Sequence, residues 1–572
     1  MHATEHFIPG KDASLEASIA TLQSRLEATG FHIEERSWLN PVEGVWSVHI
    51  RDRDCPLLFT NGKGASELAA RASALGEYFE RLSTNYFWTH FYLGDAIAKR
   101  SYVHNPAERW FALDDGDDAW PSGLLTPALH DLYNPEASVR AGQLIDLNSG
   151  NAARGICALP YQRLSDGETV YFPVNLIGNL YVSNGMSAGN TPMEARTQAL
   201  SEIFERHLKF RIIEEGLCLP DVPEDVIDRY PRIAAGIRAL RCAGFGILVK
   251  DASLGGRYPV MNVTLLHPND QGCFASFGAH PRFEVALERA LTELLQGRAL
   301  DSLAGFPAPG FDQAEIADPQ NLEIHFVDSS GVISWQFLRD TPDFDFVDWN
   351  FGTTTEEDYA WSCGALHADG HEIYIADFEH LGVYACRILV PGVSEIYPFE
   401  ELEFENNSVG NLIRPALARL PELGDDECAD LLDLINELEL ADDRLVPVLI
   451  GLAPDADSPW TDLRVGELKL LLALALGDDE AILEGCAWIA QYGQRSEARL
   501  KVYRCIADLA QLDAPTYFES ALALLYGRET LEQAFALFNQ DERFFGLTTL
   551  GENFEGSTMH RRLLEAYRKV RG

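Results

Sequence analysis

Hydrophobic positions divide the chain into two stretches of different character. Up to about residue 400, short segments rich in β-branched and aromatic residues alternate with longer ones whose apolar positions recur at helical spacing. Val45–Arg51, Val170–Asn175, Tyr258–Leu265, Glu372–Asp377 and Val383–Val390 read as strands. The helical spacing is clear after Ser66, where Leu68, Ala72, Leu75, Phe79 and Leu82 make one stripe at about 100° per residue. Interleaved strands and helices predict α/β or α+β layering. Around Gly424 the pattern changes. From Asp425 onward, helices rich in Leu and Ala follow one another, broken at Gly477-Asp478-Asp479, Gly493 and Asp513-Ala514-Pro515. Glu467–Leu476 and Glu480–Gln491 read as an antiparallel helix pair across a tight turn. Such pairing is tetratricopeptide-like, without a complete repeat signature; a plain helical bundle fits the same pattern. Two domains are expected, residues 1–420 and 421–572. The longest apolar run, Leu470 to Leu476, is far too short to cross a membrane.

Composition narrows the function classes. With 572 residues and 46% hydrophobic content the chain can build ample globular cores. Ten cysteines run from Cys55 to Cys505 without a Cys-x-x-Cys pair, which predicts isolated or buried thiols in a reducing compartment. The histidines show no paired metal-ligand spacing. No basic start followed by an apolar stretch opens the chain, so no secretory signal is expected and the location reads as cytoplasmic. The net charge of −43 opposes direct, sequence-independent nucleic-acid binding, which needs Lys and Arg against phosphate. It favours a basic protein partner, but equally serves solubility, so charge alone selects no function.

Chemistry enters through a local signature found on three helices. Ala74-Leu75-Gly76-Glu77-Tyr78-Phe79-Glu80-Arg81 is echoed by Ala199-Leu200-Ser201-Glu202-Ile203-Phe204-Glu205-Arg206. A third copy, Ala290-Leu291-Thr292-Glu293-Leu294-Leu295-Gln296, replaces the second acid with Gln. Each copy follows a glycine-bearing segment that reads as a turn: Asn61-Gly62-Lys63-Gly64, Ser187-Ala188-Gly189-Asn190 and Phe277-Gly278-Ala279-His280. Pro192 and Pro281 then fit the first helical position, and a glycine turn opening a helix offers free N–H groups to phosphate. On the first helix, Glu77 and Glu80 lie off the apolar stripe, beside Ser66, Ala69, Ala70, Ser73 and Gly76, small residues that leave the backbone approachable. On the second, Glu194, Gln198, Glu202 and Glu205 cluster away from Thr197, Leu200 and Phe204. One Glu pair at this spacing means little, as Glu400 and Glu403 illustrate; three matched helices mean more. If they converge, two carboxylates ~5 Å apart repel by about 3 kcal/mol at an effective dielectric of ~20. Such a cluster calls for cations, and oxygen ligands without Cys or His favour magnesium shared with phosphate. Arg81, Arg206 and Arg289 lie one turn from Glu77, Glu202 and Glu293, either as their ion-pair partners or as forks for phosphate.

These motifs resemble a known family. Ser73-x-x-x-Glu77-x-x-Glu80-Arg81, the stretch from Ser187 to Arg206, and Arg289-x-x-x-Glu293 are similar to the three nucleotide-binding motifs of the YcaO superfamily. Similarity extends from Ile8-Pro9-Gly10-Lys11-Asp12 to Val390-Pro391-Gly392. The resemblance implies an ATP-binding fold unlike P-loop and kinase folds: an α/β (α+β) YcaO-type domain of repeated strand–Gly turn–helix units, followed by the all-α domain. No G-x-x-x-x-G-K-[ST] occurs, as that implies. Carried over by position, Glu77, Glu80, Glu202, Glu205 and Glu293 are implied as Mg2+ ligands. Lys11, Ser18, Arg81, Ser187, Asn190, Glu194, Arg206 and Arg289 are implied as ATP contacts, and no catalytic base is assigned. Members of the superfamily phosphorylate a peptide amide oxygen with ATP, leading to azolines or thioamides. Azoline-forming members typically end in a proline-rich tail, whereas this chain ends Tyr567-Arg568-Lys569-Val570-Arg571-Gly572. Stand-alone members are associated with β-methylthiolation of an aspartate of ribosomal protein S12, beside a radical-SAM methylthiotransferase. Lacking Cys-x-x-x-Cys-x-x-Cys, this chain is not itself the radical enzyme. The leading expectation is therefore an ATP-using accessory factor in ribosomal protein modification, a homodimer with a protein or peptide substrate. The alternatives are an amide activator on a peptide and a scaffold with a regulatory nucleotide site.

Overall fold

Two stretches of the chain run in the same order: helix, three strands, helix. The first holds α1 (Leu15–Ala28), β1 (Ile33–Val42), β2 (Val45–Asp52), β3 (Phe59–Gly64) and α2 (Glu67–Ser83). The second holds α4 (Pro231–Cys242), β8 (Gly246–Asp251), β9 (Val260–Leu266), β10 (Cys273–Ala279) and α5 (Phe283–Leu294). Between them lie β4 (Arg109–Phe111), β5 (Ile156–Arg163), β6 (Thr169–Pro173), β7 (Met186–Gly189) and the long α3 (Pro192–Glu215). After them come α6 (Pro319–Val327), α7 (Thr355–Ala368), β11 (Tyr374–Phe378) and β12 (Tyr384–Leu389). This computed structural model describes residues 5–113, 119–146, 148–150, 152–398, 409–493 and 495–571. Glu400 and Glu403 lie outside the described residues.

The strands form sheets ordered β1-β2-β3, β10-β9-β8 and β4-β5-β11-β12-β7, with β6 on β5. Every pairing among these strands is antiparallel, which makes the layering α+β rather than α/β. The five strands expected from the hydrophobic pattern are present with shifted ends. Val174 and Asn175 leave β6 for a helical turn, and β9 begins at Val260 because the Tyr258 N–H turns back to Ser253 O.

The glycine segments are corrected by the structure. Gly62 and Gly64 lie in β3, Gly189 in β7 and Gly278 in β10, so they are strand residues, not phosphate-cradling turns. Their need for glycine is close packing: a Cβ on Gly62 would stand 2.0 Å from Ala70 O, and one on Gly278 would stand 2.3 Å from Ala290 N. The two units match in detail. Thr60 Oγ1 donates to Ala74 O at 2.8 Å, and Ser276 Oγ donates to Ala290 O at 2.9 Å, each fastening the last strand to the helix after it. Ala70, expected on the small-residue face of α2, is therefore fully buried under β3. Pro281 also departs from expectation, since α5 starts at Phe283 with Arg282 as its cap.

The longer helices from Val409 onward are α8 (Val409–Ala418), α9 (Asp425–Glu437), α10 (Val465–Leu476), α11 (Asp479–Tyr492), α12 (Glu497–Gln511), α13 (Glu519–Tyr526), α14 (Arg528–Phe538) and α15 (Thr558–Arg571). The breaks fall where the pattern placed them, with Gly477 left-handed at φ 68° after α10 and Asp478 capping α11. α10 runs through the centre of this part, buried almost all round from Val465 to Ala475, as its continuous apolar run requires. The last helix behaves differently. Leu563, Leu564, Ala566, Tyr567 and Val570 of α15 join the core of Phe31, Tyr78, Phe79 and Trp88 in the first unit. Tyr567 meets Trp88 edge-on at 5.4 Å and donates its hydroxyl to Val103 O at 2.6 Å. The final helix thus returns to brace α2. No helix among the described residues is long and apolar enough to cross a membrane. All ten cysteines are free thiols; nine are buried, and Cys242 is exposed.

Candidate functional site

A cavity of about 1090 Å³ opens where α1, α2, α3 and α5 meet. All thirteen site residues singled out in the sequence line it: Lys11, Ser18, Glu77, Glu80, Arg81, Ser187, Asn190, Glu194, Glu202, Glu205, Arg206, Arg289 and Glu293. The helices bring their acids together because each presents its apolar stripe to a sheet. Leu75 and Phe79, Leu200 and Phe204, and Leu287 and Leu291 are buried, which turns the acidic faces toward one another.

One rim of the cavity is a hydrogen-bonded chain. Ser18 Oγ donates to Asn190 Oδ1 at 2.9 Å, and Asn190 Nδ2 donates to both Glu194 carboxylate oxygens at 3.1 and 2.9 Å. Glu194 is buried; it also accepts from the Asp12 N–H at 2.9 Å and lies 3.3 Å from Lys11 Nζ. The loop carrying Lys11 is thereby tied to the first turn of α3, whose cap Thr191 accepts from the Glu194 N–H. Ser187 stands beside this rim on β7, buried.

The floor holds the remaining acids. Arg81 Nη2 pairs with Glu77 at 2.5 Å and Arg206 Nη1 with Glu202 at 2.8 Å, both one turn apart as expected. Arg289 breaks that pattern. It leaves Glu293 and crosses to α3, donating to Gln198 Oε1 at 2.7 Å and Glu205 Oε2 at 3.4 Å. Glu293 pairs instead with Lys63. Burial, then the charges of Glu202 and Glu77, push the Glu80 carboxyl well above the usual carboxylate range. Burial likewise raises Glu202, opposed by Arg206. Burial draws the Lys63 and Lys209 ammoniums down to about 8, against the upward pull of Glu205 on each.

Two features of this floor fit a magnesium nucleotide. The donor set is five carboxylates without thiol or imidazole, suited to a hard cation. The Nε atoms of Arg81 and Arg289 are buried without a hydrogen-bond partner among the described residues, which suits phosphate oxygens. The acids are gathered but not preassembled as a metal site. Among the described residues no group of three or more His, Cys, Asp or Glu could hold a metal ion as it stands, because four of the five acids face protein cations.

Sequence reasoning assigned no role to several lining residues, among them Lys63, Lys209, Arg232 and Arg298. Lys209 had a signal: it lies one turn beyond Glu205 and continues the polar face of α3. Its buried Nζ donates to His325 O at 2.6 Å and Ser329 Oγ at 3.2 Å. Lys63 had one too, since a strand lysine between two glycines must face away from whatever the glycines press against.

Similarity to known proteins covers the same ground. Residues 61–394 match the family described as YcaO cyclodehydratase, ATP- and Mg2+-binding, and residues 410–572 match the YcaO cyclodehydratase C-terminal domain. The chain is 51% identical to the ribosomal protein S12 methylthiotransferase accessory factor YcaO of Escherichia coli, over 99% of this chain and 98% of that protein. It is 49% identical to an uncharacterized protein of Haemophilus influenzae, again over 99% and 98%. A solved structure of YcaO from Methanopyrus kandleri bound with AMPPCP and Mg2+ shares 18% identity at a TM-score of 0.41, covering 66% of this chain and 91% of that one.

Proposed function

This chain belongs to the YcaO family, whose cofactors are ATP and Mg2+, and we propose that it binds them in the cavity between α1, α2, α3 and α5. The observation that carries the reading is the convergence of three helix faces, each bearing acids, on one cavity. Glu77, Glu80, Glu202, Glu205 and Glu293 would hold magnesium. Lys11, Ser18, Ser187, Asn190, Glu194 and Arg206 would contact the nucleotide, with Arg81 and Arg289 offering their free Nε–H donors to its phosphates. Bound ATP supplies a γ-phosphoryl group that can activate a carbonyl or carboxylate oxygen. The chain's own part is to bind, orient and neutralise. The arginines and Lys11 offset phosphate charge, and the half-buried floor strengthens those interactions by limiting water.

For the physiological role, we propose an accessory function in β-methylthiolation of an aspartate of ribosomal protein S12, beside a methylthiotransferase. Near-full-length identity of 51% to the Escherichia coli accessory factor supports it. So does the charge of −43, which suits a basic ribosomal partner. Mass spectrometry of ribosomal proteins from a strain lacking the gene tests it: loss of methylthio-aspartate is expected, and an unchanged level would remove the role. A second reading, ATP-dependent amide activation on a peptide, is supported by the family's description as a cyclodehydratase. Peptide-dependent phosphate release separates either reading from a purely regulatory nucleotide site.

We assign the nucleotide site to a domain of residues 1–420 and read residues 421–572 as a helical, tetratricopeptide-like domain that mediates homodimer or partner contacts in the cytoplasm. Exposed Tyr517, Phe518, Leu524 and Leu525 around α13 support a contact surface there. Sedimentation of the full chain carrying L524E and L525E is expected to give a smaller species than wild type; an unchanged sedimentation coefficient would move the contact elsewhere. Cutting the chain near Leu420 is unsuitable for this test, because it strips α15 from the first unit's core.

A further inference from the structure

Lys63 has no part in the nucleotide reading, yet its direction is tightly constrained. Gly62 and Gly64 on either side are pressed onto α2, at Ala70, Ala74 and Ala69. Strand alternation therefore turns Lys63 to the opposite face of the first sheet, where α5 of the second unit lies against β2 and β3. There its ammonium pairs with Glu293. The pair belongs to a short seam between the units: Gln296 Nε2 donates to Asn61 O at 2.8 Å, and the Gly297 N–H donates to Ser47 Oγ at 3.2 Å. Glu205, Glu77 and Glu202 also act on the ammonium, and Arg289 is the neighbouring like charge. The charge on Lys63 does for this cluster what a bound cation does: it balances carboxylates that burial would otherwise leave costly.

We infer that Lys63 is the built-in counter-cation of the carboxylate cluster, holding Glu293 in the nucleotide-free protein and yielding that carboxylate when magnesium binds. The inference rests on the proposal that these acids hold magnesium. It explains why the acids can be gathered before any metal arrives, and why Glu293, alone among the floor acids paired with a cation, takes a lysine rather than an arginine. A lysine contacts its partner as a mobile point charge and releases it without dismantling a bidentate fork.

The test is thermal melting of the full-length K63M variant beside wild type, in EDTA and in magnesium chloride without nucleotide. Methionine keeps the side chain long and unbranched and removes its charge. In EDTA, K63M is expected to melt several degrees below wild type, and magnesium alone is expected to raise its melting point by more than it raises that of wild type. An equal magnesium response in the two proteins, or a K63M melting point at or above wild type in EDTA, would overturn the inference. If K63M does not fold, K63M/E293Q still decides the matter. Removing the acid left bare should restore a cooperative melt, and a double variant that also fails to fold contradicts the assignment. Calorimetric titration of wild type with ATP, with and without magnesium, separates the two levels. No magnesium-dependent binding in wild type removes the parent proposal, whereas normal binding with an unchanged magnesium response in K63M removes only the role of Lys63.

Discussion

At the scale of single residues, the site holds charges that folding alone would not choose. The Glu80 carboxyl is raised by burial and by Glu202 and Glu77. The sign of its effect on stability follows from linkage. Below the ordinary carboxylate range both folded and unfolded chains are protonated there, and no cost arises. As pH rises, the unfolded chain ionises first, so stability is lost progressively up to the raised folded value. Glu80→Gln cannot ionise; its melting point should exceed that of wild type by a margin that is small within the ordinary carboxylate range and grows as pH is raised above it, while magnesium-dependent ATP binding falls. Melting curves from that range upward check it, and a constant margin would show that Glu80 is not held under repulsion. The acids lining the cavity were legible in the sequence because the Ala-Leu-x-Glu signature recurs on three helices. Partner choice was not. Arg289 lies one turn from Glu293 just as Arg81 does from Glu77, but the tertiary approach of α3 and β3 assigns it to Gln198 and Glu205 and leaves Glu293 to Lys63.

At the scale of elements, glycine carries two different meanings in one site. Gly278 in β10 lies against the α5 backbone, so Gly278→Ala should cost about 3 kcal/mol through overpacking. Gly76 in α2 faces the cavity, and an added Cβ there meets nothing within 4 Å. Gly76→Ala should therefore stabilise the nucleotide-free protein by about 1 kcal/mol through helix propensity, while narrowing the approach to the α2 backbone and weakening ATP binding. Denaturant unfolding of both variants checks the two signs, and matched effects would contradict the assigned packing. Glycine near a helix start was visible in the sequence, but a strand that crosses a helix closely and a turn that cradles phosphate both call for it. The distinction lies in what stands opposite, here Ala70, Ala74 and Ala290, and that is tertiary information. β1 was passed over for a related reason: its residues are mostly exposed or half-buried, so it carries no apolar alternation.

At the scale of the whole molecule, the two stretches seen in the hydrophobic pattern are structurally interdependent. α15 supplies Leu563, Leu564 and Tyr567 to the core that supports α2, the helix bearing Glu77 and Glu80. Tyr567→Ala should cost about 4 kcal/mol, the range for deleting a buried aromatic, and should lower ATP affinity although the residue lies outside the cavity. A variant that is destabilised but binds ATP as wild type does would limit α15 to a stabilising part. That three separated helices build one magnesium–ATP site is the central claim, and calorimetric titration of ATP into wild type and Glu202→Ala, each with and without magnesium, tests it most directly. Magnesium-dependent binding is expected in wild type, weakened at least tenfold in a Glu202→Ala variant that still folds. Wild-type affinity in that variant would show that the acidic face of α3 is structural and that the claim is wrong.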